Sequence, residues 1–274
     1  MKMNKVKIGI SCKDINKFDE CLRIIEKYNL FHIELQVSSI EKNSFIYSEK
    51  MINNICRECS ELGITVSIHS FTGINLSEKI TRIRNEIIKI TKEIIDITEY
   101  MSGTHLILHM GNAGFRFDCA KKNSRLDYAI CSINELEEYS RNMIMNIAIE
   151  NVDRLDSNIK CYLGDCIEDF EYVIDRLIYP DIGVLFDVGH MNLSNNAEIT
   201  TRRFLDQFYS NIVAVHLHTN NGLTDQHLGV DNKWFEKYRE CLDLFEKLVI
   251  LENYSISEME KSLKHIALYI SGDK

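Results

Sequence analysis

Short apolar runs alternate with longer stretches of helical periodicity along the whole chain. The runs are "KIGIS", "HIELQV", "TVSIH", "HLILH", "NIAIEN", "GVLFDV", "IVAVH" and "KLVILEN". Each has the length and β-branched character of a buried strand. Between them, Phe18, Cys21, Leu22, Ile25 and Tyr28 form one helical stripe. The segment from Glu78 to Met101 forms another, with Ile80, Ile83, Ile87, Ile90 and Ile94. Near the end, Ser257 and Glu260 have the spacing of a capping box ahead of Leu263, Ile266 and Ile270. Eight strand–helix alternations predict a closed parallel (β/α)8 barrel. The length of 274 residues suits one such barrel, typically ~250 residues. No linker or low-complexity tract interrupts it, so 1–274 reads as one domain. A doubly wound open sheet competes, but it usually carries a Gly-rich turn after its first strand. Here "SCKDIN" follows instead.

Composition narrows the partners. With 45% hydrophobic and 27% charged residues the chain can build a sizeable core. A net charge of −9 weighs against a protein that coats nucleic acid, though not against a local basic groove. The nine cysteines are scattered, and "MKMNKVKIGI" runs straight into a strand rather than a secretory leader. Together these predict a cytoplasmic protein with free thiols. No apolar run approaches a membrane span. Cys56 and Cys59 fall on one apolar helix face with Ile52, Ile55 and Leu62, which reads as core rather than a redox or zinc pair.

Active sites in this fold gather at the C-terminal strand ends. Here the third run ends in His69, the fourth in His109 and the fifth in Glu150. The sixth ends in Asp187, with His190 three residues on. The seventh ends in His216, followed by Asp225 and His227, and the eighth ends in Glu252. Alternation puts Thr65, Ser67 and His69 on one face, likewise Ala148 and Glu150, and Ile212, Ala214 and His216. Each residue alone has a plain structural reading: a hydrogen-bonded core histidine, a partner for a nearby cation, or an Asx turn. Five of the nine histidines nevertheless join the set. Buried carboxylates cost several kcal/mol each unless paired or metal-bound. A divalent metal such as Zn²⁺, Mn²⁺ or Fe²⁺ explains the convergence, and the absence of cysteine from the set argues against a structural zinc site. Glu34 is a candidate substrate contact or equally an anchor of the barrel, Arg154 a candidate contact for an anionic substrate or a surface arginine, and His218, which shares a face with His216, a candidate substrate contact or a support behind the ligands. His32 and His105 begin strands, at the wrong end for a site, and with His265 read as structural.

The motifs "IHSFTGINLS", "LILHMGN", "IAIENV", "LFDVGHMNL", "VHLHTNNGLTDQHLG" and "VILEN" resemble, in this order, those of the xylose isomerase-like TIM-barrel superfamily. That superfamily joins sugar and sugar-phosphate isomerases and epimerases with endonuclease IV. In the epimerase branch, residues matching Glu150, Asp187, His216 and Glu252 hold one metal, and the two glutamates form the acid/base pair. In the endonuclease IV branch, matches to His69, His109, His190, Asp225 and His227 complete a three-zinc cluster. All nine positions are filled here. Other residues depart from endonuclease IV. Its "HAPY" is "HSFT" here, which puts Thr72 where an aromatic would press into DNA. Its basic, aromatic insertion has no match in "SSIEKNSFIYSEK", the proline of its "HPG" is Met110, and the aspartate usual after the seventh strand is Thr219.

The resemblance therefore implies a metal-dependent sugar or sugar-phosphate isomerase/epimerase, binding one to three divalent ions of zinc or manganese. Glu150 and Glu252 would move the proton of an enediolate reaction, with His190 holding a substrate oxygen. The alternatives are an endonuclease IV-like multi-zinc phosphodiesterase and a non-catalytic barrel that binds a sugar or a protein. A small sugar, rather than DNA or a membrane, is the expected partner. The substrate, the metal and the oligomeric state are left open.

Overall fold

The computed structural model describes residues 6–37, 48–71, 73–114, 121–153, 161–194 and 197–271. Eight parallel strands close into a barrel in sequence order. They are β1 (Lys7–Cys12), β2 (His32–Gln36), β3 (Thr65–His69), β4 (His105–Leu108), β5 (Asn146–Glu150), β6 (Gly183–Asp187), β7 (Ile212–Leu217) and β8 (Leu248–Leu251). Closure comes from β1 pairing with β8, Ile10 beside Leu251. His109 and Glu252 each stand one residue beyond their strand. The predicted (β/α)8 barrel is the observed fold, in one domain.

The outer layer contains α1 (Phe18–Tyr28), α2 (Glu49–Leu62), α3 (Thr81–Tyr100), α4 (Lys122–Ser140), α5 (Ile167–Ile174), α6 (Val188–Asn192), α7 (Ala197–Phe208), α8 (Asn232–Lys237) and α9 (Ile256–Ser271). Their apolar faces pack on the outward residues of the strands to form the main core. None of the described helices is long and apolar enough to cross a membrane.

Several local expectations need correction. In α3 the buried face is Ile88, Thr91, Ile94, Ile95 and Thr98, whereas Ile80 and Ile83 are exposed. Isoleucines surround this helix, so periodicity alone could not select its face. Thr91 and Thr98 tolerate burial because each hydroxyl donates to the carbonyl one turn back, at 2.8 Å. The capping residue of α9 is Ser255, whose hydroxyl accepts from the Glu258 amide. Ser257 lies inside the helix, and Glu260 instead pairs with Lys27. On α2, Cys59 is buried, as expected, but Cys56 is only half-buried.

The barrel interior has two halves. Ile107, Ala148, Leu185, Ala214, Leu248 and Ile250 form an apolar cluster on the later strands. The first three strands instead bury Ser11, His32, Glu34 and Ser67. His32 is satisfied by the hydroxyls of Thr65 and Ser67, at 2.7 and 2.8 Å. Burial, with His105 and His216 nearby, lowers its pKa to about 3, so it is neutral. Burial likewise lowers His105 to about 4. Gly9 faces His32 so closely that a Cβ would stand 2.7 Å from the His32 Cβ. The pairing of β6 with β7 skips one residue beside Val184/Leu185. As a result Val213 packs on the interior cluster, while Ile212 joins the outer core. Ile212 therefore does not share a face with Ala214 and His216, as strict alternation predicted; the irregularity shifts the phase by one residue.

Candidate metal centre

The polar strand ends converge on one cavity of about 500 Å³, lined among others by His69, His109, Glu150, His190, Asp225, His227 and Glu252. Glu150 is its hub. Oε2 lies 2.7 Å from Nε2 of both His69 and His109, and Oε1 lies 3.1 Å from His216 Nδ1. Burial alone would raise the Glu150 pKa, but His216, His69 and His109 together hold it well below the ordinary carboxylate range. His216 is buried too, which opposes its charge. Glu34, Glu252 and Glu150 outweigh that burial and raise its pKa well above the usual value.

Asp187 organises the next corner. Its carboxylate accepts from the His190 amide at 2.7 Å, capping the one-turn α6 and folding His190 back towards the site. Asn151 fastens this corner to β5 by donating to the Asp187 carbonyl and accepting from the Asp187 amide. Burial opposes ionisation of Asp187, but His190 and His218 keep it well below the usual range. Asn253, the residue after Glu252, plays a similar part for the β7–α8 loop. It donates to the carbonyls of His227 and Leu228. His227 has a left-handed φ of 49°, and these bonds help hold it there.

Among the described residues, four ligand sets arise in which one donor atom from each residue lies within 4.8 Å of the others. Glu150, Asp187, His216 and Glu252 make a central set. His69 with Glu150 and His216 makes a second. His190, His218, Asp225 and His227 make an outer set. The fourth is Asp165, Cys166 and Asp169, but Lys122 Nζ already fills it, 2.7 Å from Asp165 and 2.8 Å from Asp169. The central and outer sets fit divalent cations on a specific observation: His218 Nδ1, Asp225 Oδ1 and Glu252 Oε2 are buried without a hydrogen-bond partner. Natural proteins rarely leave such atoms unsatisfied.

All nine expected ligands meet here. Glu34 and His218 are fully buried and lie behind the cavity wall, which fits the readings of anchor and ligand support rather than substrate contact. Glu34 receives His216 Nε2 at 3.0 Å; His218 Nε2 lies 3.1 Å from Asp187. Both sit where they orient ligands. Arg154 and Thr72 lie outside the described residues, as does most of the stretch compared with the endonuclease IV insertion. Sequence reasoning missed Asn151, Asn253, Lys13, Gln36 and Tyr254. The Glu-Asn doublet at the ends of two runs was the available signal for the asparagines. Lys13 reaches Glu252 Oε1 at 3.1 Å and lies over the Tyr254 ring, while Gln36 donates to the same oxygen at 2.6 Å.

A family model described as xylose isomerase-like TIM barrel matches residues 14–266. The chain belongs to this family. An uncharacterized protein of Methanocaldococcus jannaschii is 25% identical over 199 residues, covering 71% of this chain and 73% of that protein. Among solved structures, a D-tagatose 3-epimerase-like protein superposes with a TM-score of 0.79 at 20% identity, covering 97% of each chain. A 3-keto-D-glucoside 4-epimerase from E. coli superposes with a TM-score of 0.68 at 16% identity, covering 98% of this chain and 100% of that one. At these identities the structural likenesses are likenesses of fold.

Proposed function

We propose that this family member is a metal-dependent sugar or sugar-phosphate isomerase/epimerase. The observation that carries the reading is the pair Glu150 and Glu252, two ionised carboxylates lining one cavity and sharing a cation-ligand set with Asp187 and His216. A divalent cation held by that set would supply Lewis-acid polarisation of adjacent substrate oxygens. The chain's own part is proton transfer. One glutamate takes the proton from the carbon beside the substrate carbonyl, and its conjugate or the opposite glutamate returns a proton to the adjoining or the same carbon. Glu252 suits the role of base, because Lys13 and Gln36 hold Oε1 while Oε2 accepts no hydrogen bond and has the longer approaches of His227 and His216, at 3.3 and 3.4 Å. His190 faces the cavity with Nδ1 fixed on the Asn151 carbonyl at 2.9 Å, which leaves Nε2 to meet Asp225 or a substrate oxygen. The epimerases among the structural neighbours support the substrate class by analogy of fold.

A specific observation favours a second reading. His69 and His109 both meet Glu150 Oε2, and a separate outer set stands beside them, as a multi-cation phosphodiesterase would require. One experiment separates the two readings. Protein loaded with Mn²⁺ or Zn²⁺ is incubated in D₂O with a panel of keto-sugars and their phosphates, and in parallel with duplex DNA carrying an abasic site. Solvent deuterium in the sugar is the expected result. No exchange across the panel, together with metal-dependent incision at about 1 per second or faster, would replace the isomerase with the hydrolase.

A further inference from the structure

We propose that Asp153 is a specificity-determining residue of the cavity: its carboxylate accepts a hydroxyl at the end of the sugar remote from the reacting carbons and turns away substrates that carry a phosphate there. The inference deepens the isomerase reading, on which it rests for the class of ligand, and decides between the free sugar and the sugar phosphate.

Asp153 stands three residues beyond Glu150, half-buried on the loop that leaves β5. It lines the same cavity. The other carboxylates on that wall already have counterparts. Glu150 meets His69 and His109, Asp225 meets His227, and Glu252 meets Lys13. Asp153 has no such counterpart among the described residues, and its Oδ2 is buried without a hydrogen-bond partner. Nor is it a further ligand. Among the described residues it joins none of the sets whose donor atoms lie close enough to share a cation. Burial raises its pKa; His190 opposes the rise, and Asp225 and Asp187 add to it. A hydroxyl donated to the carboxylate would offset that burial with a charge-assisted hydrogen bond. Rotation about the last side-chain torsion exchanges the two oxygens at little cost, so either can meet a donor that enters the cavity.

The same wall is a poor host for a phosphate. Lys13 is the one lysine or arginine that lines the cavity among the described residues. Its ammonium is held by Glu252 at 3.1 Å and by the Tyr254 ring, 4.4 Å from the centroid. Phosphate recognition draws on guanidinium or ammonium groups with charge to spare. Cations in the ligand sets would draw the oxygens of the reacting carbons, but Asp153 lies outside those sets. A phosphate brought against it meets a like charge, which suppresses binding, whereas a hydroxyl meets an acceptor. One carboxylate thus selects for the first substrate class and against the second.

Binding is read without turnover, by calorimetry on full-length protein loaded with Mn²⁺. The probes are xylitol and sorbitol, and the terminal phosphate ester of each. These open-chain polyols carry the hydroxyls of a keto-sugar but no carbonyl, so they do not react. We expect the wild type to bind the free polyols more tightly than their phosphates by about tenfold or more. Asp153→Asn keeps the shape and loses the charge. It is expected to move the two ligands in opposite directions, the polyol weaker by about tenfold and its phosphate tighter. Asp153→Lys should reverse the preference. A merely structural role would weaken both ligands together. That result, an unchanged preference in Asp153→Asn, tighter binding of the phosphates by the wild type, or binding of neither overturns the proposal. If the variants fail to fold, the wild-type preference decides. Deuterium exchange is followed on the same proteins. Exchange into sugar phosphates in preference to free sugars would sink this proposal and keep the isomerase reading; a polyol preference that depends on Asp153, without exchange into any sugar, would do the reverse.

Discussion

The Lys13 ammonium lies 3.1 Å from Glu252 Oε1, at the seam where the first strand closes on the eighth. Burial would raise the Glu252 pKa, but His216, Lys13 and His227 lower it to about 2. Removing a cation from a carboxylate raises its pKa, so the ionised form is lost at a higher pH. Lys13→Met is expected to move the acid limb of the pH–rate profile upward by about one to three pH units. An acid limb at its original position would mean that Lys13 does not tune this base.

Replacing Glu252 by Gln retains the shape but not the base. Deuterium exchange into the sugar should fall by about 10²–10⁴-fold. The double variant His69→Ala and His109→Ala should retain measurable exchange, because these residues meet Glu150 and lie outside the central set. The reverse pattern would point to hydrolysis at a multi-cation centre.

Asp187→Ala or His216→Ala should each remove the central cation. Elemental analysis of protein purified without chelator measures this directly. Full metal content in both variants would refute the central ligand set.

Protonation should stand in for metal when the protein is stripped. Against burial, Asp187 raises the His190 pKa and Glu34 raises that of His216, each well above its usual value. The stability these two contribute is complete below their unfolded pKa of about 6.5 and is lost as pH rises through the folded values. Glu150 and Asp187 are depressed, so their contribution is present above their unfolded pKa near 4 and is lost as pH falls through the folded values. The metal-free protein should therefore be most stable at about pH 5–6.5, and the stabilisation by added metal should grow above that window. Thermal melts across pH, with and without chelator, test it. A metal effect that shrank as pH rose would contradict the charge assignment.

Gly9→Val should destabilise the barrel, by about 1–3 kcal/mol or more. A Cβ there would stand 2.7 Å from the His32 Cβ and 2.8 Å from its carbonyl oxygen. Denaturant melts measure the loss. Unchanged stability would mean that β1 and β2 can separate without cost.

Much of the molecule was legible before folding because its two repeating signals are local. Strand and helix periods alternate along the chain, and polar residues close the apolar runs, so the barrel and the nine polar residues that meet at its mouth could be read from order alone. Such signals name the strand end but not its neighbours across the barrel. Whether Glu34 and His218 reach the cavity or lie behind its wall depends on depth, which the burial of Glu34 beneath His216 and the packing of His218 against Gly189 and His227 decide. The side of the barrel taken by Ile212 depends on one unpaired residue in the β6–β7 register. Lys13 reaches Glu252 only because β1 closes on β8. Periodicity is carried by neighbours in the chain and survives in the sequence; distance between strands, burial and the electrostatic balance of facing charges exist only once the barrel has closed.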